Sequence, residues 1–169
     1  ALRIAQTITN AQGILSTNHT YHGNTALVSQ LSDTNPSSSF SLNTFKRVFA
    51  PDSYRLNGSK NLEEYSRSFA QDIERKINEF KKENIGFAGI ILCPFFANEG
   101  FPNLPNGWLE PAQKIIKKHG GIIIADEVQP GFGRLGSSMW SHDIIGIQPD
   151  IVTIGKPMAN GHPVGALIT

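Results

Sequence analysis

The sequence predicts an α/β fold built on a parallel or mixed sheet, and three observations predict it. Short β-branched runs bounded by glycine and proline recur, the clearest being Ile122–Ile123–Ile124 and Ile151–Val152–Thr153–Ile154. Such runs are the pattern of strands buried on both faces. A long amphipathic helix and a shorter one lie between such runs. The resulting order of strand, helix, strand, helix, strand, loop, strand is an α/β order.

The elements follow in turn. Residues 1–9 read as a helix, with Leu2, Ile4, Ala5 and Ile8 roughly on one side. Gly13 to Ser16 reads as a short strand, followed by the polar loop TNHTYHGNT with Tyr21 and Gly23. Ala26 to Leu31 reads as a short helix. The serine-rich stretch from Ser32 to Ser41, with Pro36, has turn chemistry and no periodicity. Arg47 to Ala50 is expected as a strand stopped by Pro51-Asp52. From Leu62 to Glu83, Leu62, Tyr65, Phe69, Ile73, Ile77 and Phe80 form one apolar stripe at spacings of three and four. Asn61 with Glu64 fits an N-cap of the capping-box kind. Phe87 to Leu92 is expected as a buried strand ending at Cys93-Pro94. Trp108 to Lys118 is expected as a helix whose Pro111 is tolerable only in the first turn.

Composition narrows the function classes. The 169 residues suffice for one domain with a core. Fifteen Lys and Arg against fourteen Asp and Glu give a formal net charge of +1, with no basic block. That balance argues against nucleic acid or an anionic membrane as the main partner. No apolar run approaches the roughly 20 residues of a membrane span. The single cysteine, Cys93, and the lack of a visible signal peptide fit a reducing compartment, read as cytoplasmic. No metal is expected. The chain begins inside a helical pattern and ends inside an apolar run, so both ends read as cut from a longer protein.

The chemistry concentrates between Gly121 and Gly161. One strand ends at Ala125-Asp126-Glu127, and the next ends at Gly155-Lys156. Ligands in open α/β sheets sit outside the carboxyl ends of strands, so Asp126 and Lys156 are expected to face one crevice. A surface charge is the plain reading of Lys156, and a cap or salt bridge that of Asp126. A nucleotide-hydrolase reading would need a G-x-x-x-x-G-K-[ST] loop, which is absent. Pyridoxal phosphate needs both groups, a lysine for its aldehyde and a carboxylate for its ring nitrogen. Partial burial would lower the lysine pKa and activate the amine. Val128, two residues beyond Asp126, is expected on the same strand face.

IIIADEVQPGFGRLG followed by PDIVTIGKPMANGHPVGAL resembles the signature of class III aminotransferases, pyridoxal 5′-phosphate enzymes of fold type I. TYHGNT (Thr20 to Thr25) resembles that family's aromatic-His-Gly-Arg-Thr loop. The resemblance implies a three-layer α/β/α, mostly parallel sheet, part of the large domain. It implies Lys156 as the Schiff-base lysine and Asp126 as partner of the ring nitrogen. Val128 and Tyr21 would sandwich the ring, Gln129 would bond the ring hydroxyl, and His22 would approach the cofactor. Transamination between an amino donor and a keto acid or aldehyde follows, in a homodimer. GKPMANGHPV also looks like the branch that includes phospholyases acting on phosphorylated amines, so elimination is the rival reaction. A non-catalytic domain retaining the fold is the second rival.

Two departures stand out. Many class III members carry Glu-Pro where this chain has Cys93-Pro94, which bears on ornithine- or aminobutyrate-like specificity. The phosphate-gripping loop and the small domain with its carboxylate-binding arginine have no counterpart in these residues. Residues 1–169 are therefore expected to be one incomplete large domain, lacking the N-terminal segment and the C-terminal small domain. Such a piece is expected to bind cofactor weakly and to be inactive alone.

Overall fold

The computed structural model describes residues 1–32 and 42–169. A six-stranded sheet of order β2-β1-β3-β4-β5-β6 forms its middle. The strands are β1 (Gly13–Thr17), β2 (Phe45–Val48), β3 (Phe87–Leu92), β4 (Ile122–Asp126), β5 (Ile151–Ile154) and β6 (Ala166–Ile168). The first five run parallel, and β6 pairs antiparallel with β5. The apolar runs are near-continuous because helices cover both faces. Alternate residues supply the two sides. Leu15, Ile90 and Ile123 pack with α2 (Leu62–Lys82) and α3 (Glu110–Lys118). Ile14, Ile91 and Ile124 pack with Leu2 and Ala5 of α1 (Leu2–Thr9). The result is the expected three-layer, mostly parallel architecture.

α2 buries Tyr65, Phe69, Ile73, Ile77 and Phe80 of the expected stripe. Its N-cap, Asn61, accepts a hydrogen bond from the Glu64 amide at 2.9 Å. The return bond differs from a strict capping box: Glu64 Oε2 accepts from the Lys60 amide, one residue earlier, at 3.0 Å. The aromatic end of α2 meets Trp108, whose ring stands 5.3 Å from Tyr65 and 5.2 Å from Phe69. β3 and β4 approach so closely that a Cβ at Gly89 would stand 2.2 Å from the Ile122 carbonyl oxygen. At the opposite end of β4 from Asp126, Asp150 closes the sheet. Its amide donates to the Ile123 carbonyl and its carboxylate accepts from the Ile123 amide, both at 2.8 Å.

Several expectations shift. The helix expected over Ala26–Leu31 is a single 3-10 turn at Val28–Gln30. The strand expected over Arg47–Ala50 is Phe45–Val48, because its register is set by pairing with β1. Trp108 and Leu109 precede α3, so Pro111 falls in its first turn. The helix α4 (Ser141–Ile145) and the edge strand β6 lie in stretches that the sequence pattern leaves unassigned. The serine-rich stretch from residue 33 to 41 lies outside the described residues. Among the described residues no helix is long and apolar enough to cross a membrane.

Candidate functional site

Four parallel strands deliver the site. The chain leaves β1 into the loop carrying Tyr21 and His22, β3 at Cys93, β4 at Asp126, and β5 one residue before Gly155-Lys156. These strand ends meet at one cavity of about 210 Å³. Lys156, Asp126, Val128, Gln129, Tyr21 and His22 all line it, so the six residues singled out by the sequence come together. Gly23, Cys93 and Asn98 complete the lining.

Asp126 is 7% exposed and has three donors. His22 Nδ1 lies 2.6 Å from Oδ2, the Val128 amide 3.1 Å from Oδ1, and Thr153 Oγ1 3.4 Å from Oδ1. The His22 ring is 1% exposed, and its Nε2 stands 2.9 Å from Thr20 Oγ1. Thr20, His22 and Asp126 thus form one buried chain, which fixes the carboxylate and leaves the histidine behind it. Thr153 reaches Asp126 because the two are opposite each other in the β4–β5 register.

Val128 is not on the strand. β4 ends at Asp126, and the following residues turn, with Asp126 Oδ1 capturing the Val128 amide as an aspartate does in a local turn. The strand-parity argument for Val128 therefore fails, while the turn still brings it to the cavity. Glu127, fully buried, points the other way. It accepts from Ser141 Oγ, from the His142 amide at 2.8 Å, and lies 2.8 Å from His142 Nδ1. It anchors the start of α4 beneath the turn.

Lys156 departs from expectation in one respect. The burial argument places it withdrawn from water, whereas it is exposed. Its backbone φ is 47°, the left-handed region that non-glycine residues rarely occupy. Cys93 is 4% exposed, and burial first, then the nearby Asp126 and Glu99 carboxylates, push its thiol pKa up to about 12. It remains a neutral, unreactive wall of the cavity at ordinary pH.

The residues fit pyridoxal phosphate by their chemistry. An amine for an aldehyde, a braced carboxylate for a ring nitrogen, an aromatic ring and a branched aliphatic side chain share one small cavity. Asn98 carried no signal of its own in the sequence and arrives through loop geometry, with Phe96 at φ 48°; Gly23, expected as a flexible point of its loop, stands at φ 124°.

Comparison with known proteins bears on the family and the fold. The family described as Aminotransferase class-III matches residues 1–169. The chain is 33% identical to an alanine–glyoxylate aminotransferase 2-like protein of Drosophila melanogaster, covering 100% of the chain and 35% of that protein. It is 31% identical to ethanolamine-phosphate phospho-lyase homolog 1 of Caenorhabditis elegans, covering 100% of the chain and 39% of that protein. Among solved structures, a phospholyase from Arthrobacter in complex with phosphoethanolamine superposes with a TM-score of 0.90 at 32% identity, covering 99% of this chain and 40% of that one. An omega-aminotransferase from Paracoccus denitrificans superposes at 0.82 with 26% identity, covering 99% of this chain and 37% of that one. The chain thus spans well under half the length of these relatives. By the match along its whole length, the chain belongs to the class III aminotransferases, a family of pyridoxal-phosphate enzymes.

Proposed function

We propose that the protein is a pyridoxal-phosphate-dependent aminotransferase that moves an amino group between a small amino donor and a keto acid or aldehyde. The observation that carries this reading is the pair at the ends of neighbouring strands. Lys156 and Asp126 line one cavity, and Asp126 is braced from behind by a buried histidine. Lys156 would hold the cofactor through its amine and Asp126 through the ring nitrogen. Tyr21 and Val128 would face the ring, and Gln129 its hydroxyl. His22 acts through Asp126, holding the carboxylate in place. When bound, the cofactor supplies an electron sink for charge developing on the substrate carbon. Lys156 Nζ takes and returns the proton at that carbon. Residues 1–169 are read as the central part of the large domain of a homodimeric, cytoplasmic parent protein. The large-domain and homodimer parts of that reading rest on the family and on the 35–40% share of its relatives' length that the chain spans, and the cytoplasmic part on the single cysteine.

The test is an absorbance titration of the full-length parent protein with pyridoxal phosphate, beside its Lys156→Ala variant of equal fold by circular dichroism. A borohydride-reducible cofactor band in the wild type and none in the variant is expected. No band in a well-folded wild type overturns the enzyme reading and brings the non-catalytic one forward. A specific observation favours a second reaction on the same residues, namely elimination of phosphate from a phosphorylated amine: the likeness to the Arthrobacter phospholyase. Release of ammonia and inorganic phosphate from phosphoethanolamine, with no keto acid supplied, would select it.

A further inference from the structure

Asn57, Asn106 and Asn160 each precede a glycine. In that pair an asparagine side chain reacts most readily with its own backbone, because glycine sets no Cβ beside the attacking amide nitrogen. The reaction needs a carboxamide free to swing and a following amide free to attack. The three pairs differ on both counts.

Asn106 is held on both. Its Nδ2 donates to the Ile144 carbonyl at 2.9 Å, and the Gly107 amide donates to the Ile145 carbonyl at 3.3 Å. Asn57 and Gly58 are wound into the 3-10 turn Leu56–Gly58. Asn160 and Gly161 are both exposed, at φ 48° and φ 93°. Two central residues of positive φ are the pattern of a type I′ turn, which favours Asn-Gly. The bond that closes this turn runs from the His162 amide to the Ala159 carbonyl at 3.0 Å and engages neither central residue. Among the described residues nothing hydrogen-bonds the Asn160 carboxamide or the Gly161 amide, and a Cβ at Gly161 would meet no atom within 4 Å. Asn10 and Asn84 share the left-handed backbone, but the amides that follow them, of Ala11 and Ile85, are bonded to the Gln6 and Phe80 carbonyls. Asn160 also ends the 3-10 turn Lys156–Ala159, which presents the site lysine.

We propose that Asn160 is a site of spontaneous deamidation, and that its conversion unfastens the turn presenting Lys156. The Gly161 nitrogen gives its proton to water and bonds to Asn160 Cγ. The Cγ–Nδ2 bond breaks, and Nδ2 takes up a proton and leaves as ammonia. Water then opens the cyclic imide at either carbonyl, giving aspartate or its β-linked isomer, with no oxidant or reductant involved. The β-linked product carries an extra backbone carbon inside the turn that the His162 amide closes, so that bond no longer fits. The effect on Lys156 rests on the cofactor reading above; the modification itself does not.

The full-length parent protein, free of cofactor, is aged in warm, mildly alkaline buffer and its peptides are mapped by mass. Asn160 is expected to convert at least about tenfold faster than Asn106, since freeing Asn106 and Gly107 first costs two hydrogen bonds. Equal rates at the two, or an Asn160 that stays intact, overturn the proposal. The aged samples are then titrated with pyridoxal phosphate. The borohydride-reducible band is expected to fall in step with the converted fraction, and to persist in aged Asn160→Gly, which suits a left-handed turn and carries no amide to lose. A full band on converted protein overturns the link to Lys156, as does an equal fall in the variant. The comparison within the wild type stands even if Asn160→Gly folds poorly. No band in fresh, well-folded wild type refutes the cofactor reading instead, and the peptide map still tests the modification, so the two failures are distinguishable.

Discussion

The Cys93 thiol is held neutral by burial and by the acids on either side of it, with its pKa moved from 9.0 to about 12. The folded state therefore favours the protonated thiol more than the unfolded chain does. That contribution is complete below the unfolded pKa and is lost as pH climbs from about 9 toward 12. At about 1.4 kcal/mol per pH unit, the loss between pH 8 and pH 11 is on the order of 3 kcal/mol. Urea midpoints of the wild type and Cys93→Ala, compared at the two pH values, are expected to show it as a larger fall in the wild type, since Tyr65 and Lys46 titrate in both. Equal falls in both would refute it. At this scale Asp126 and Lys156 were legible in the sequence, because abrupt polar ends on apolar runs mark strand termini. The partnership of His22 with Asp126 was not, because 104 residues separate them and the sheet order alone brings them together.

At the scale of elements, the turn after β4 depends on two neighbouring acids facing opposite ways. Asp126 sets the path of Val128, and Glu127 ties that turn to the first residues of α4. Gly131 lies in the same fold-back, where a Cβ would stand 2.7 Å from the Glu127 carbonyl oxygen. Glu127→Ala would strand the Ser141 hydroxyl and the His142 amide, a destabilisation of about 3 kcal/mol. Urea unfolding at unchanged m-value would measure it, with Glu127→Gln losing less; a change under about 0.5 kcal/mol would show the tie to be decorative. The long periodic helix α2 and the strands β3 and β4 could be read from the sequence almost to the residue. α4 could not, because five residues give too few turns for a period to show. β2 was displaced by two residues because its limits are fixed by β1, not by its own composition.

Across the whole molecule, burial is uneven. β3 is buried at every residue and lies in the middle of the sheet, between β1 and β4. β6, at the edge, is mostly exposed, as are the residues leading to it from Lys156. Opening free energies should follow that gradient. Native-state amide exchange is expected to be slowest in β3 and β4 and fastest in β6, with the strand-end turns between. Uniform protection across all six strands would contradict it. The layered architecture was legible because apolar runs without alternation imply cover on both faces. The antiparallel turn-back of β6 was not, since three residues carry no direction.

The left-handed backbone at Lys156 bears on how such a chain would drift if it had lost its chemistry. Glycine or asparagine satisfies φ 47° at less strain than lysine, so a chain kept only for its fold would be drawn to those residues. A long amine placed there is a poor choice for folding alone. The position therefore acts as a built-in indicator of use, in which neutral substitution would run away from lysine and only a need for the amine would hold it.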